Sequence, residues 1–191
     1  LCYSRGYPPQ GVPGYHIGHR TGVWLHALGA RLFGRAGFYS RAATRRLIRQ
    51  LSLYKPDVVH LHNLHGYYLD IRTLFAWLAK AGVPVVWTLH DCWPYTGHCA
   101  YYTMCRCGRW REGCGHCPQL RAYPQSLWLD QSRRNWLEKR RAYEAVPSLT
   151  LVTPSLWLGR EAKRSFLGKR EIRVIPSGID LDTFRPCDEP E

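Results

Sequence analysis

The sequence predicts an α/β fold with a Rossmann-like, doubly wound parallel sheet. Strand-like and helix-like periodicities alternate from residue 55 onward, which is the pattern of a sheet with helices packed on it. The strand-like runs are short and rich in branched side chains, as buried parallel strands require. The chain has 191 residues, of which 45% are hydrophobic, and this is enough for one domain with a packed core.

The alternation begins with a strand, a helix and a second strand. Residues 56–63 (PDVVHLHN) are predicted as a buried strand, and residues 68–82 (YLDIRTLFAWLAKAG) as a helix that ends at Gly82. Residues 83–90 (VPVVWTLH) form the next strand. Because such a unit joins its strands by a right-handed crossover, we expect the two strands to be parallel neighbours.

The pattern resumes after residue 129. In order, it predicts a helix at 130–145, a strand at 148–155, a helix at 155–168 and a strand at 171–178.

Two further helices are predicted before the first strand of this series. In residues 22–33, Trp24, Leu28 and Leu32 share one helical face, and Leu25 lies beside them. We expect this face to pack in the core; insertion into a membrane interface is the alternative.

Positive charge is concentrated near the start of the chain. The formal net charge is +13, and residues 1–56 contain nine Lys or Arg but no Asp or Glu. On the predicted helix at 40–51, Arg41, Arg45 and Arg49 share a face. This face is either a solvated helix surface or a surface for anionic lipid or phosphate. Nucleic acid is a third interpretation, but no known nucleic-acid-binding signature supports it.

No segment is long and apolar enough to predict a membrane span. Lys80 interrupts the best candidate run, which stays below the roughly 18 residues that a spanning helix needs. No stretch resembles a signal peptide. We therefore expect a cytoplasmic protein with reduced thiols, able to bind peripherally at the inner membrane face.

Histidines collect where the first two strands are predicted to end. Open parallel sheets bind ligands in the crevice beyond the carboxyl ends of their strands. Four of the nine histidines of the chain occur there: His60, His62, His65 and His90. A shared site and separate buried histidines are equally compatible with this pattern.

Five of the eight cysteines lie between Cys99 and Cys117. Cys114 and Cys117 form a CxxC motif flanked by glycines, which brings two sulfurs to one point. With Cys99 and Cys107 they would supply the four ligands of a structural Zn²⁺ ion. Disulfides and free thiols are the alternatives to a metal. The other candidates for the fourth ligand are Cys105, His98 and His116.

These cysteines belong to residues 91–129, which we call the cysteine-rich segment. It has no periodic apolar pattern, so we expect a metal rather than a hydrophobic core to hold it together. Because it follows the strand that ends at His90, we expect it to form a wall of the site.

Six stretches in order along the chain carry a family resemblance. They are GFYSRAATRRLI, KPDVVHLHNLHGYYL, VPVVWTLHDCWPYTGHC, CGRWREGCGHCPQL, LTLVTPSLWL and VIPSGIDLDTFRP. Together they resemble the N-terminal domain of bacterial glycosyltransferases of family 4, with the colanic-acid and exopolysaccharide enzymes closest in pattern.

The resemblance implies the N-terminal half of a GT-B fold. Residues 1–178 would be the acceptor-binding domain, and residues 179–191 the start of an interdomain linker. The domain that binds the nucleotide-sugar donor would lie outside the chain, so we do not expect the chain to turn over alone. The activity implied is that of a retaining hexosyltransferase whose acceptor is a lipid-linked sugar or a polysaccharide.

The resemblance also implies roles for individual residues. His90 would be the catalytic residue at the reacting sugar, and in Asp91 a cap for the following turn is the alternative to substrate contact. The expected substrate-binding residues are His62, Asn63, His65, Gly66, Tyr67, Asp91 and Thr96.

A different class of function is compatible with the charge and the CxxC motif. In this alternative the chain is a zinc-containing basic module that binds RNA or another polyanion without catalysis. The expected partners of the first function are the sugar acceptor and an anionic membrane surface, and nucleic acid is not expected.

Overall fold

The computed structural model describes residues 1–4 and 6–185. The α-helices and strands are β1 (Cys2–Tyr3), β2 (Tyr15–His16), α1 (Arg20–Phe33), α2 (Arg41–Tyr54), β3 (Val59–Leu61), α3 (Ile71–Ala81), β4 (Val85–Thr88), α4 (Ser132–Glu144), β5 (Leu149–Thr153), α5 (Leu156–Lys163) and β6 (Glu171–Val174). Short 3₁₀ turns occur at Thr103–Cys105, Arg109–Arg111 and Phe166–Lys169.

The main sheet has four parallel strands in the order β3-β4-β5-β6. This confirms the Rossmann-like α/β class, and each predicted strand contains one of the observed strands. The strands β1 and β2 form a separate parallel pair. Because the four strands follow one another in a single direction, right-handed crossovers place α3, α4 and α5 on the same face of the sheet.

Local signals in the sequence account for the ends of the helices. Asp70 caps α3, because its Oδ1 accepts a hydrogen bond from the Thr73 backbone N–H at 2.9 Å. Gly82 ends the same helix in the left-handed conformation. Ser155 caps α5, and its Oγ accepts from the Leu158 N–H at 3.2 Å.

The core lies between the sheet and these helices. Trp87 of β4 contacts Phe75 of α3 and Tyr143 of α4, with ring centroids 5.6 and 4.9 Å away. All three side chains are buried. Aromatic packing of this kind holds α3 and α4 on the sheet and so fixes where the strands end.

The opposite face of the sheet is open. Residues that alternate with the buried strand residues, such as His60, Thr88 and Thr150, are exposed or half-buried. A parallel sheet is normally covered on both faces. In the residues that the structure describes, the helices between consecutive strands form one such layer, and the open face remains accessible.

The face of α1 that was expected to pack in the core is exposed, so that expectation is wrong. Trp24 and Leu25 are 65% and 61% exposed, and Leu28 is 39% exposed. The helix packs instead through His26 and Ala30. Sequence periodicity identified an apolar stripe, but the stripe that tertiary packing buries lies on another side of the helix.

His26 is the polar anchor of that buried side. Its Nε2 accepts a hydrogen bond from the Gly37 N–H at 3.2 Å, which leaves Nδ1 to donate to the Ser40 Oγ at 2.8 Å. Burial lowers the pKa of His26 to about 4. The imidazole is therefore neutral near pH 7.

The basic face of α2 is exposed as expected. Arg41, Arg45 and Arg49 all lie at the surface, although the Arg41 Nε is also 3.5 Å from Asp70 Oδ2. No helix among residues 1–4 and 6–185 has the length and apolar character needed to cross a bilayer.

The segment predicted as the start of a linker, 179–191, is described as far as residue 185. There the Asp180 carboxylate accepts hydrogen bonds from the Asp182 and Thr183 N–H groups at 3.0 and 3.4 Å. Residues 186–191 lie outside the described part of the chain.

Candidate functional site

The ends of β3 and β4 bring three histidines together. Side chains two residues apart point to the same face of a strand, so His60 and His62 share the open face with Thr88 and His90 of the neighbouring strand. The register that pairs His60 with Val86 places these side chains next to one another. We call His60, His62 and His90, together with Thr88, the histidine cluster.

Hydrogen bonds connect the histidine cluster in two pairs. His62 Nδ1 is 2.9 Å from His90 Nε2, and His60 Nε2 is 2.8 Å from Thr88 Oγ1. The rings of His60 and His62 have centroids 4.2 Å apart, and those of His62 and His90 are stacked with centroids 5.2 Å apart. One nitrogen of the His62–His90 pair must donate and the other accept, so each ring restricts the tautomer of the other.

The surroundings of His62 favour its neutral ring. Burial lowers the pKa of His62, and positive charge on His60 or His90 lowers it further. All three histidines are nevertheless exposed to solvent. Their polar atoms are therefore accessible to a bound ligand.

The loop that follows β3 carries other predicted substrate contacts. Asn63 is exposed and Tyr67 is half-buried, and both have positive φ angles, of 40° and 63°. The Tyr68 hydroxyl donates to the carbonyl oxygens of His62 and Asn63 at 3.4 and 3.3 Å. Tyr68 thereby holds the first turn of this loop beside the histidine cluster.

Gly66 has a packing role in the same loop. A Cβ at this position would lie 2.8 Å from the Tyr68 ring, which is closer than van der Waals contact allows. A larger residue would displace Tyr68 and with it the loop. The structure thus gives a reason for glycine here that is separate from the expected approach of a ligand.

His65 and Asp91 form a second, buried group. His65 Nε2 is 3.3 Å from Asp91 Oδ2, and the imidazole packs against the rings of Trp93 and Tyr123. Burial lowers the pKa of His65, and the Asp91 carboxylate opposes this shift. Asp91 Oδ1 also accepts from the Trp93 N–H at 2.8 Å, so the structure contains the turn cap that was the alternative for Asp91.

Thr96 lies with the cysteines rather than with the histidine cluster. Its side chain is buried, and its hydroxyl donates to the Cys99 carbonyl oxygen at 2.6 Å. Of the residues predicted to bind substrate, the structure brings His62 and Asn63 to the open strand ends beside His90. It places His65, Asp91 and Thr96 in the interior behind them.

Lys139 connects that interior group to the cysteines. Its ammonium is fully buried and donates to the carbonyl oxygens of Trp93 and Thr96 at 2.6 and 3.0 Å. It also lies 3.3 Å from the centroid of the Trp93 ring. Burial holds the pKa of Lys139 well below its usual value, and negative charge on Cys114, Asp91 or Cys99 would raise it.

The four cysteines predicted to bind zinc line one cavity of about 10 Å³. The Cys99 and Cys117 thiols are hydrogen-bonded to each other, which lowers the pKa of Cys117. Among the described residues, however, no group of three or more His, Cys, Asp or Glu side chains is already spaced for a metal ion. The same residues contain no disulfide, and Cys187 lies outside them.

The expectation that the cysteine-rich segment lacks a core of its own is wrong. Tyr95, Tyr102 and Trp110 are buried in it, with the Trp110 ring 5.2 and 5.0 Å from the two tyrosine rings. The Trp110 carbonyl oxygen accepts from Trp136 Nε1 of α4 at 2.9 Å. Aromatic side chains without a regular spacing form a core that periodicity does not detect.

Sequence reasoning missed Lys139 as a member of these groups. It named His60 among the strand-end histidines but not among the substrate-binding residues, although the spacing of His60 and His62 in one strand is a signal for a shared face. Lys139 lies three residues after Trp136 and four before Tyr143, both buried, so it falls on the buried stripe of α4. That position could have marked it as a buried cation.

A comparison with known families identifies the type of protein to which this geometry belongs. Residues 2–183 match the model of Glycosyltransferase Family 4. The chain belongs to glycosyltransferase family 4. This confirms the family resemblance.

One relative of the family is WcaC of Escherichia coli (strain K12), which is named as a colanic acid biosynthesis glycosyl transferase. The two sequences are 32% identical over 160 residues, which is 80% of this chain and 38% of WcaC. The chain thus spans about two fifths of the length of this relative. No solved structure matches the chain.

Proposed function

We propose that this family 4 chain is the acceptor-binding half of a retaining hexosyltransferase of cell-surface polysaccharide biosynthesis. The reaction would move a sugar from a nucleotide-sugar donor to a lipid-linked or polysaccharide acceptor. The observation that carries the proposal is the exposed pair of His62 and His90 at the carboxyl ends of two parallel strands. Ligands of open α/β sheets bind at this position.

Within this proposal His90 is the catalytic residue. It hydrogen-bonds the reacting sugar or the acceptor hydroxyl, while His62 fixes its tautomer through the 2.9 Å contact. The leaving diphosphate takes the proton of the acceptor, so the protein contributes orientation and charge stabilisation rather than a dedicated base. Asn63 and Tyr67 would contact the acceptor from the neighbouring loop.

The donor half of the reaction is assigned to residues outside this chain. A second domain would bind the nucleotide sugar and close over the histidine cluster. The greater length of WcaC supports this part of the proposal, because 62% of that relative has no counterpart in the alignment with this chain (100% minus the aligned 38%).

The acceptor would be reached at an anionic membrane surface. Trp24, Leu25 and Leu28 are exposed on α1, and Arg45 and Arg49 are exposed on α2. Exposed Trp and Leu insert into the headgroup region, and each nearby basic side chain adds about 1 kcal/mol on anionic lipid. The absence of acidic residues from residues 1–56 supports the same role.

Activity of the full-length protein tests the proposed function. It is incubated with labelled nucleotide hexoses and a polyprenyl-diphosphate sugar, and the product is separated and its anomeric configuration is determined by NMR. We expect transfer with retention of configuration. Absence of transfer from every donor, together with sub-micromolar RNA binding that weakens steeply with salt, would instead favour the polyanion-binding module.

Vesicle sedimentation tests the membrane surface with the chain itself. We expect binding to phosphatidylglycerol vesicles, weaker binding to phosphatidylcholine vesicles, and at least a fivefold loss in the double variant Trp24→Ala/Leu28→Ala. Leu137→Ala is the matched control, since Leu137 is an exposed leucine on α4. Equal loss in the control, or no binding by the parent chain, would contradict the proposal.

A further inference from the structure

Three separate parts of the cysteine-rich segment converge on one point. Cys99, Cys107 and the Cys114–Cys117 motif come from different turns, yet all four sulfur-bearing side chains line the same small cavity. Cys99 is buried, and the other three are half-buried. Free thiols have no reason to converge in this way, because a thiol is only a weak hydrogen-bonding group.

The structure distinguishes between the candidates for the fourth member. Cys107 lines the cavity, whereas Cys105 is exposed and its Sγ is 3.3 Å from the Tyr102 carbonyl oxygen. His98 also lines the cavity, but its Nε2 is 2.9 Å from the Leu120 carbonyl oxygen. The candidate set is therefore the four sulfurs, with Cys105 outside it.

The backbone around the cavity holds the CxxC motif in place. The Gly97 N–H donates to Cys114 Sγ at 3.2 Å. Gly113 and Gly115 have φ angles of 143° and 153°, so the turn that carries the motif depends on glycine. Both features fix the backbone positions of Cys114 and Cys117.

A buried cation lies beside the cysteines. Lys139 is fully buried, and in the described part of the chain it forms no ion pair with a carboxylate. Its Nζ donates instead to the carbonyl oxygen of Thr96, which lines the same cavity as the cysteines. A buried ammonium needs a nearby anion, and four thiolates on one Zn²⁺ ion carry a net charge of −2. A tetrathiolate site would supply that anion.

We propose that Cys99, Cys107, Cys114 and Cys117 bind one structural Zn²⁺ ion as four thiolates. Such a site has Zn–S distances of about 2.3 Å and no open position for water. The sulfurs are not yet spaced as ligands, but rotation about χ1 moves each sulfur, while the backbone already directs all four to one cavity. This inference does not depend on the proposed sugar transfer.

The ion would fasten the cysteine-rich segment to α4 and to the end of β4. The Cys117 N–H donates to the Asp130 carboxylate at 2.7 Å, and Asp130 also caps the Ser132 N–H at 2.8 Å. Lys139 of the same helix holds the carbonyl oxygens of Trp93 and Thr96. Zinc at the cysteines would thus stabilise the wall next to His90 without taking part in chemistry.

Metal and thiol analysis of the parent chain is the first test. The chain is purified under reducing conditions without added metal, and zinc is measured by mass spectrometry. We expect about one Zn²⁺ per chain. The exposed Cys2 and Cys105 should react at once with a thiol reagent, and the four proposed ligands only as zinc is released.

Serine variants then test the identity of the ligands. Cys107→Ser and Cys114→Ser should each weaken zinc binding at least tenfold, and Cys105→Ser, two residues from Cys107, should leave it unchanged. With Co²⁺ in place of zinc, the parent chain and the Cys105→Ser variant should show the absorption bands of tetrahedral cobalt thiolate.

Several results would overturn the proposal. They are a parent chain without zinc whose thiols all react at once, a Cys99–Cys117 disulfide found by peptide mapping, or equal loss of metal in Cys105→Ser and Cys107→Ser. If a ligand variant does not fold, the thiol and zinc measurements on the parent chain still decide.

Discussion

The histidine cluster and the cysteine-rich segment begin at the same strand end but are built in opposite ways. After β4, His90 points into solvent, whereas residues 91–100 are all buried. Among the described residues, the hydrogen bonds of the histidine cluster join its rings to one another or to Thr88. By contrast, the Lys139 ammonium and the Asp91 carboxylate in the interior bind the backbone.

This difference indicates which polar groups are structural and which can meet a ligand. A buried polar group must be satisfied by the fold, because leaving it unpaired costs about 1–3 kcal/mol. An exposed one has no such requirement and can exchange water for a substrate. The buried polar groups around Lys139 and Asp91 are therefore structural, and the exposed histidine cluster is the candidate site.

Replacement of Lys139 should have the largest effect of the three variants. It tests whether the buried polar groups stabilise the fold. In Lys139→Met the carbonyl oxygens of Trp93 and Thr96 lose their donor, and we expect the free energy of unfolding to fall by about 3 kcal/mol. Urea denaturation followed by tryptophan fluorescence measures it. Lys163→Met is the matched control, since Lys163 donates to the Gly168 carbonyl oxygen at 2.6 Å on the surface.

The control should change stability by less than about 0.5 kcal/mol, as is usual for exposed positions. If Lys139→Met is as stable as the parent chain, burial does not make this polar group structural. The distinction between the buried polar groups and the exposed histidine cluster would then be wrong.

Replacement of His90 tests whether the exposed histidine cluster takes part in the reaction. In the full-length protein we expect His90→Ala to lower kcat at least tenfold, or about 1.4 kcal/mol of transition-state stabilisation, and to leave the melting temperature unchanged. Initial rates and thermal unfolding are measured together. His19→Ala is the control, because His19 is an exposed histidine outside the cluster.

Near-normal turnover in His90→Ala would remove this residue from the mechanism. A large drop in its melting temperature would place His90 among the structural residues and would remove the distinction between the two regions.

The smallest effect concerns charge within the histidine cluster. The pKa of His62 is lowered by burial and then by His60 and His90, so His60→Ala removes one positive charge and exposes the ring. Both changes raise the pKa of His62 toward its usual value. NMR titration of the His62 ring protons in the chain measures the shift. An unchanged pKa would mean that the three rings do not act as one cluster, whereas His19→Ala should have no effect.

Local rules were sufficient for most of the fold. The strand at Val85–Thr88 and the helix end at Gly82 depend on residues within a few positions of each other, and both were predicted. The rule of right-handed crossovers predicted that the first two strands are parallel neighbours, and β3 and β4 are paired in this way. The strand-end histidines could also be identified, because a parallel sheet brings its carboxyl ends to one edge.

Other features required the tertiary structure. The same periodicity that marked Trp24 and Leu28 as a stripe could not tell whether a neighbouring element covers it, and the structure leaves both exposed. The roles of His65 and Thr96 were also not accessible, since their burial depends on Trp93 and on the distant Lys139. Those contacts join residues more than 20 positions apart.

By itself, the sequence determined the α/β class, the order of the elements, the family and the set of cysteines and histidines from which sites could be built. Only the tertiary structure decided that His62 and His90 meet in the open, that Cys107 rather than Cys105 joins the other cysteines, and that Lys139 is buried beside them. The physical reason is that helix caps and hydrophobic periodicity depend on residues close together in the sequence. The burial of a side chain, and its meeting with residues distant in sequence, instead depend on which surfaces pack together and exclude water.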